Sequence, residues 1–237
     1  MKIAIVDSRI PQDAEGALSR HADKIIKLPP FNRLQKPVSA HPDMLLFPTE
    51  SGIITSAEYF EENKSLLEEL SDVSGRKIVL DGGEIAPIYP QDVKFNCFVI
   101  GGRLFGLASV LSEQVSRWAD ELKIPVVNLR QGYAKCSTCI VSNNAVITEN
   151  ESIERAMIDC GIDVLRIMSG RVALDGYNCG FIGGASGTDD ENVYFCGDIS
   201  KYPDFNSIEC FCHRHGKNCV SLGSGRLYDI GTIFFIE

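Results

Sequence analysis

CSTCIVSNNAVIT (residues 136–148), SIERAMIDC (152–160), Gly161 and IDVLRI (162–167) decide the fold. The first piece is β-branched and alternates in polarity, the second has apolar residues at helical spacing, and the third is a short apolar run after a glycine. The order is strand, strand, helix, strand. NVYFCGDI (192–199), SIECFCHRH (207–215), Gly216 and NCVSL (218–222) give that order again. From the helix onward the two stretches superpose without a gap, with Ser152, Ile153, Gly161 and Val164 opposite Ser207, Ile208, Gly216 and Cys219.

Working outward, FNCFVIGG, RLFGLAS, LSEQVSRWADELK and PVVNL (95–129) form a third copy. DMLLFPTE, SGIITS, AEYFEENKSLLEEL and KIVLDGG (43–83) form a fourth. What remains is KIAIVDS, DAEGALSRHA and KIIKL at the start and GTIFFIE at the end. Joined, they make a fifth. A chain whose last strand completes a unit begun by its first has the makings of a closed ring without open sheet edges. The expectation is an α/β fold of one domain over residues 1–237, a five-bladed ββαβ propeller closed by pairing of the N- and C-terminal strands. Helices with one apolar stripe, such as Val115, Trp118 and Leu122, should pack outside.

Composition narrows the function. The 237 residues are 44% apolar and 23% charged, enough to bury a sizeable core. A net charge of −9 without a basic block disfavours nucleic acid. No apolar run reaches the roughly 18 residues of a membrane span, and the first strand meets an aspartate too early for a secretory signal. A cytoplasmic location is expected, with nine cysteines held as thiols.

The starts of the five first strands align as His41-Pro42-Asp43-Met44, Lys94-Phe95-Asn96-Cys97, Cys136-Ser137-Thr138-Cys139, Asn178-Cys179-Gly180-Phe181 and Asp229-Ile230-Gly231-Thr232. Strand alternation puts the first and third residues of a quartet on one face, which gathers His41, Asp43, Lys94, Asn96, Cys136, Thr138, Asn178 and Asp229. Such residues also serve as ordinary turn chemistry at strand entries. A thiol, an imidazole and two carboxylates at equivalent points of different units are the minimum parts for covalent thiol chemistry on a cationic substrate.

The fivefold repeat resembles the pentein fold, the α/β propeller of guanidino-group-modifying enzymes such as arginine deiminase, agmatine deiminase and dimethylarginine dimethylaminohydrolase. The likeness by repeat spans the chain. By motif it rests on His41-Pro42-Asp43, which resembles the His-x-Asp element of those deiminases. It implies that His41 acts as acid and base and that Asp43 grips the guanidinium. The last blade departs from the family pattern, because Tyr228-Asp229-Ile230-Gly231-Thr232 holds no cysteine where those enzymes keep their nucleophile. A non-catalytic pentein, the ribosome anti-association factor, shows that the fold also serves binding.

Cys136 is the nucleophile favoured by parity, with Lys135 beside it to support a thiolate and Tyr133 to offer a hydrogen bond. Cys97, Cys139 and Cys179 are the alternatives. Cys136 and Cys139 form a lone C-x-x-C, open to metal or redox chemistry but without a second pair to complete a zinc site. Cys210-Phe211-Cys212-His213-Arg214-His215 reads like a metal cluster, yet the repeat places Cys212 and Cys219 opposite the apolar Met157 and Val164 and His215 opposite Cys160, marking core and helix-end positions. The glycine-rich stretches at 101–102, 183–187 and 223–225 lack nucleotide-loop spacing and read as turns, with residues 186–192 a candidate lid.

Beside a metal or redox protein using Cys136 and Cys139, two classes of function stay open. One is a hydrolase or transferase acting on a guanidino or amidino carbon through Cys136, His41 and Asp43, with Asp229, Asn96, Asn178, Lys94 and Tyr133 binding the substrate and neither metal nor cofactor required. The other is a non-catalytic protein- or ribosome-binding pentein. The expected partner is a small molecule of cationic character, without nucleic acid or membrane; a homodimer stays open.

Overall fold

Ile3-Ala4-Ile5-Val6-Asp7 and Gly52-Ile53-Ile54-Thr55-Ser56 are buried along their whole length, the pattern of strands covered on both faces. Each is the middle strand of a three-stranded sheet in the computed structural model, which describes residues 1–237. In chain order, β1 (Ile3–Asp7), α1 (Gln12–Leu18) and β2 (Lys24–Leu28) precede the first complete unit. That unit comprises α2 (Pro42–Leu45), β3 (Leu46–Pro48), β4 (Gly52–Ser56), α3 (Ala57–Glu62), α4 (Lys64–Ser74) and β5 (Lys77–Asp81). The next is β6 (Phe98–Ile100), β7 (Arg103–Gly106), α5 (Glu113–Glu121) and β8 (Val126–Asn128). Then come β9 (Thr138–Ser142), β10 (Ala145–Thr148), α6 (Glu151–Asp159) and β11 (Asp163–Arg166). The last complete unit is β12 (Ser186–Thr188), β13 (Asn192–Phe195), α7 (Phe205–Arg214) and β14 (Asn218–Ser221), followed by β15 (Phe234–Ile236).

All five sheets share one plan. The inner strand runs antiparallel to the middle strand, and the helix crosses over to deliver a parallel outer strand. The fifth sheet has the order β15-β1-β2, with Ile3 opposite Ile236 and Ile5 opposite Phe234, so the two chain ends complete it. Helix starts are fixed by side chains that accept orphan amide protons: Ser56 from Tyr59, Ser112 from Val115, and Asn150 from Ser152 and Ile153. After α6 and α7 the chain turns into the outer strand through Gly161 and Gly216, both at positive φ; Lys123 adopts the same hand after α5.

Hydrogen bonds join consecutive units at the entrances to their inner strands and return to the start. The Asn96 amide Nδ2 donates to the Asp43 carbonyl at 3.4 Å, and the Cys136 N–H donates to Asn96 Oδ1 at 3.2 Å. Gly184 N–H donates to the Cys136 carbonyl at 2.8 Å, Thr232 N–H to the Gly184 carbonyl at 2.8 Å, and Asp43 N–H to the Gly231 carbonyl at 3.1 Å. This is the five-bladed ring expected from the repeat.

Four expectations need correction. The fourth inner strand is Ser186–Thr188, not the stretch beginning at Asn178, because the glycines of 183–187 form its entrance and edge. Residues 186–192 are therefore a hairpin and not a lid: Asp189 is buried, with Oδ2 accepting from Lys2 Nζ and the Tyr194 hydroxyl. Residues 57–70 do not form one helix but break at Asn63 into α3 and α4. Finally, His41, Asp43, Lys94, Asn96, Cys136 and Asp229 precede the inner strands on turns or, for Asp43, on α2, so strand alternation is not what brings any of them together.

Removing residues 234–237 takes away the partner of β1 and the buried Ile236. By the burial lost, this truncation is expected to cost about 3 kcal/mol or more in urea unfolding. An unchanged midpoint would show that pairing of the chain ends does not support the ring.

Candidate functional site

Asp43 is completely buried at the centre of the ring, held by α2 against the last unit. Its Oδ2 lies 3.0 Å from Cys136 Sγ and accepts the Thr232 hydroxyl at 2.8 Å, while its Oδ1 has no partner. Burial raises the pKa of Asp43, opposed by the bonds from Cys136 and Thr232 and by the Lys135 charge. Asp229 is also buried. Its two oxygens accept the Phe181 and Gly231 N–H groups, both at 2.9 Å. Burial, and then repulsion from Asp43, push its pKa up to about 7.

His41 immediately precedes α2 and is 1% exposed. Its Nδ1 stands 3.7 Å from Asp229 Oδ1 and its Nε2 3.9 Å from Asp7 Oδ2, both beyond hydrogen-bond length, and Nδ1 is without a partner. Burial, reinforced by the Arg9 charge, lowers its pKa to about 3, so the ring is neutral. One ligand-capable atom each from His41, Asp43 and Cys136 lies within 4.8 Å of the other two. That grouping offers nitrogen, oxygen and sulfur donors with a spacing a metal ion could use; Cys139 is not part of it.

Cys136 is 2% exposed. Burial first, and then the charges of Asp43 and Asp229, raise its pKa well above the ordinary thiol value, so the resting group is an S–H aimed at Asp43. Lys135 does not support a thiolate in the expected way. Its Nζ is directed to the Thr232 hydroxyl at 3.1 Å and the Thr138 carbonyl at 3.4 Å. Asn96 brackets Cys136: Oδ1 accepts the Lys135 and Cys136 N–H groups at 2.8 and 3.2 Å, and Nδ2 reaches Sγ at 3.1 Å.

A cavity of about 560 Å³ adjoins this cluster, lined among others by His41, Asp229, Asp7, Arg9, Asp175 and Tyr228. Cys136 and Asp43 are not among its lining residues. The sulfur is thus not part of the cavity wall, whereas His41, with a ring nitrogen within 4.8 Å of it, is.

The structure brings His41, Asp43, Asn96, Cys136 and Asp229 together, and the other expected residues make no hydrogen bond to them. Asn178 lies on an exposed loop before β12. Lys94 bonds the Gly83 and Glu84 carbonyls and stands 3.6 Å from Asp81, which fastens the chain after β5. Tyr133 donates to Asp92 Oδ2 at 2.8 Å and stacks between Tyr89 and Phe181. Of the alternative cysteines, Cys97 is buried with a raised pKa, Cys139 lies on β9, and Cys179 is part-buried on the loop with Asn178. Cys212 and Cys219 are free thiols in hydrogen-bond contact between α7 and β14, and His215 pairs with Asp163 at 2.9 Å.

Thr232, Arg9 and Asp7 were not singled out from the sequence. Thr232 could have been found: it closes the fifth quartet, but parity assigned that face to Asp229. Arg9 holds Asp7 through Nε and Nη2 and carries no motif. The crowding also explains two glycines. A Cβ on Gly184 would lie 2.0 Å from Asp229 Oδ1, and one on Gly231, which has φ of +69°, would lie 2.1 Å from His41 Cβ.

Residues 5–234 match the family described as "Family of unknown function (DUF6873)". The chain belongs to that family. No curated protein matches this family member. Among solved structures it is similar to a dimethylarginine dimethylaminohydrolase in an adduct with S-methyl-L-thiocitrulline, at 14% identity over 94% of this chain and 92% of that one, with a TM-score of 0.57. It is similar to an amidinotransferase of the saxitoxin biosynthetic pathway from Microseira wollei, at 11% identity, 92% and 87% coverage and a TM-score of 0.53. A third likeness is to the N-terminal domain of a cyanobacterial arginine dihydrolase, at 10% identity, 93% and 91% coverage and a TM-score of 0.51. At these identities the likeness is one of fold, and the chain has the pentein fold. No helix in it is long and apolar enough to cross a membrane.

Asp229 provides a test of the buried charge. Folded, it keeps its proton up to about pH 7, against an ordinary value of 3.8, so the folded state holds the extra proton between these values. Its contribution to stability is full at acid pH and is lost as pH rises through that window. The stability of Asp229→Asn relative to the wild type should therefore improve from pH 4 to pH 8, by on the order of 4 kcal/mol in urea unfolding. A flat difference would mean that Asp229 is not a desolvated acid.

Proposed function

We propose that this pentein is an enzyme acting on a small molecule with a guanidino or amidino carbon, with Cys136 as nucleophile and residues 1–237 working as one domain. The supporting observation is the meeting of Cys136, His41 and Asp43 beside a cavity bordered by Asp229. The titration behaviour agrees with a cationic ligand. Two buried carboxylates that repel each other, and the unpartnered acceptors His41 Nδ1 and Asp43 Oδ1, would all be satisfied by a planar cation with several N–H donors. The solved structures similar in fold include an aminohydrolase, an amidinotransferase and a dihydrolase, which accords with this class.

In this reading Asp43 and Asp229 hold the cation. Neutral His41 takes the thiol proton as sulfur attacks the central carbon and a C–S bond forms. The C–N bond then breaks, and His41 returns the proton to the departing amine. His41 next takes a proton from water, hydroxide adds to the carbon, the C–S bond breaks, and the proton goes back to sulfur. In a transferase a second amine replaces the water.

The burial of Cys136 favours a second reading, a non-catalytic pentein that uses the same face to bind a protein or ribosomal surface. The two are separated by labelling. The enzyme reading expects 2-chloroacetamidine to alkylate Cys136 of the native protein at pH 7 at least about tenfold faster than neutral chloroacetamide does, because only the amidine pairs with the carboxylates. His41→Ala and Asp229→Asn should each remove that preference, read by peptide mass spectrometry. Labelling that needs denaturation, or equal rates for the two reagents, would leave the binding reading in place.

A further inference from the structure

We infer that the chain carries a second small-molecule site, for a short aliphatic carboxylate, in a cavity further along the inner strands from His41. This cavity measures about 290 Å³ and takes lining residues from β3, β6, β9, β12 and β15. Phe47, Phe98, Ile140, Ile233 and Phe235 supply apolar wall. Its two basic groups are Lys135, buried and bonded to Thr232 of the wall, and Arg76, which is part-buried. No aspartate or glutamate lines it.

The charges decide the class of ligand. Lys135 has only neutral oxygens within hydrogen-bond reach, the Thr232 hydroxyl and the Thr138 carbonyl, and Arg76 donates to the Thr49 carbonyl at 2.7 Å. Neither forms an ion pair within 4.0 Å. Burial lowers the pKa of Lys135, with Asp43 opposing this from beyond hydrogen-bond reach, and an entering carboxylate would favour the charged form through a charge-assisted bond. The aromatic and aliphatic walls suit an alkyl chain. A cation would face Lys135 and Arg76 with no acid in the lining, since Asp43 and Glu50, which act on these two groups, lie outside it. The volume, at the lower end of ligand pockets, sets the length as short. The site is distinct from the cavity at His41, since the two share no lining residue. Its test does not depend on catalysis by Cys136.

Calorimetric titration of the full chain with hexanoate, hexanol and hexylamine tests the inference. One hexanoate per chain is expected to bind, at least about tenfold tighter than hexanol, with hexylamine not binding. Arg76→Ala should weaken hexanoate about threefold and Lys135→Met at least about tenfold. Should Lys135→Met fail to fold, Ile140→Trp, which fills the cavity from its part-buried wall, must abolish binding. Hexanoate binding no tighter than hexanol, or unchanged in Arg76→Ala and Ile140→Trp, would overturn the site.

Discussion

Everything at the centre of this protein depends on the ring of hydrogen bonds that passes from Asp43 through Asn96, Cys136, Gly184 and Thr232 and back to Asp43. A propeller built from three-stranded sheets leaves backbone groups at the entrances to its inner strands, where water is excluded. Those groups must find partners in neighbouring blades. Asn96 shows the consequence. A buried side-chain amide supplies both donor and acceptor to adjacent blades, so its presence follows from closure before any chemistry is considered. The same ring fixes Cys136 and Asp43 at contact distance, although they are 93 residues apart in sequence.

The repeat was legible because each unit changes from alternating to helical periodicity in the same order, and because Gly161 and Gly216 mark equivalent turns. The fourth inner strand was not legible, since Ser186-Gly187-Thr188 has almost no apolar signal. Its glycines answer to the crowding of Asp229 and of the Ile233 backbone against them. Placing that strand at Asn178 followed from reading apolar character as strand character. His41, Asp43, Cys136 and Asp229 were found by their position in the repeat, though the parity argument for them was wrong. They share a centre because blade entrances converge. The same rule did not bring in Lys94, whose long side chain turns back to the carbonyls after β5, or Asn178, which lies exposed on a loop; Tyr133, chosen as a neighbour of Cys136, is held by Asp92.

Net charge at the centre is kept low by desolvation. His41 is neutral, the Cys136 proton is retained, and Asp229 gives up its proton only near neutrality. A conventional thiolate–imidazolium pair is disfavoured at rest, because burial and the field of the Asp43 and Asp229 charges oppose the thiolate while burial and the Arg9 charge oppose the imidazolium. The field reverses when a cation sits between Asp43 and Asp229. It would cancel the repulsion that raises the thiol and draw the S–H proton away from Asp43 toward the neutral imidazole. Activation would then come from the ligand and not from a standing ion pair.

Thr232 separates this acidic centre from the basic one around Lys135. Its backbone has a positive φ of 75°, unusual for a β-branched residue, and its hydroxyl stands between Lys135 Nζ at 3.1 Å and Asp43 Oδ2 at 2.8 Å. A direct Lys135–Asp43 ion pair would neutralise both groups. The single hydroxyl between them keeps the ammonium available to one side of the ring and the carboxylate to the other. The strained backbone at Thr232 is therefore tied to a division of charge along the axis.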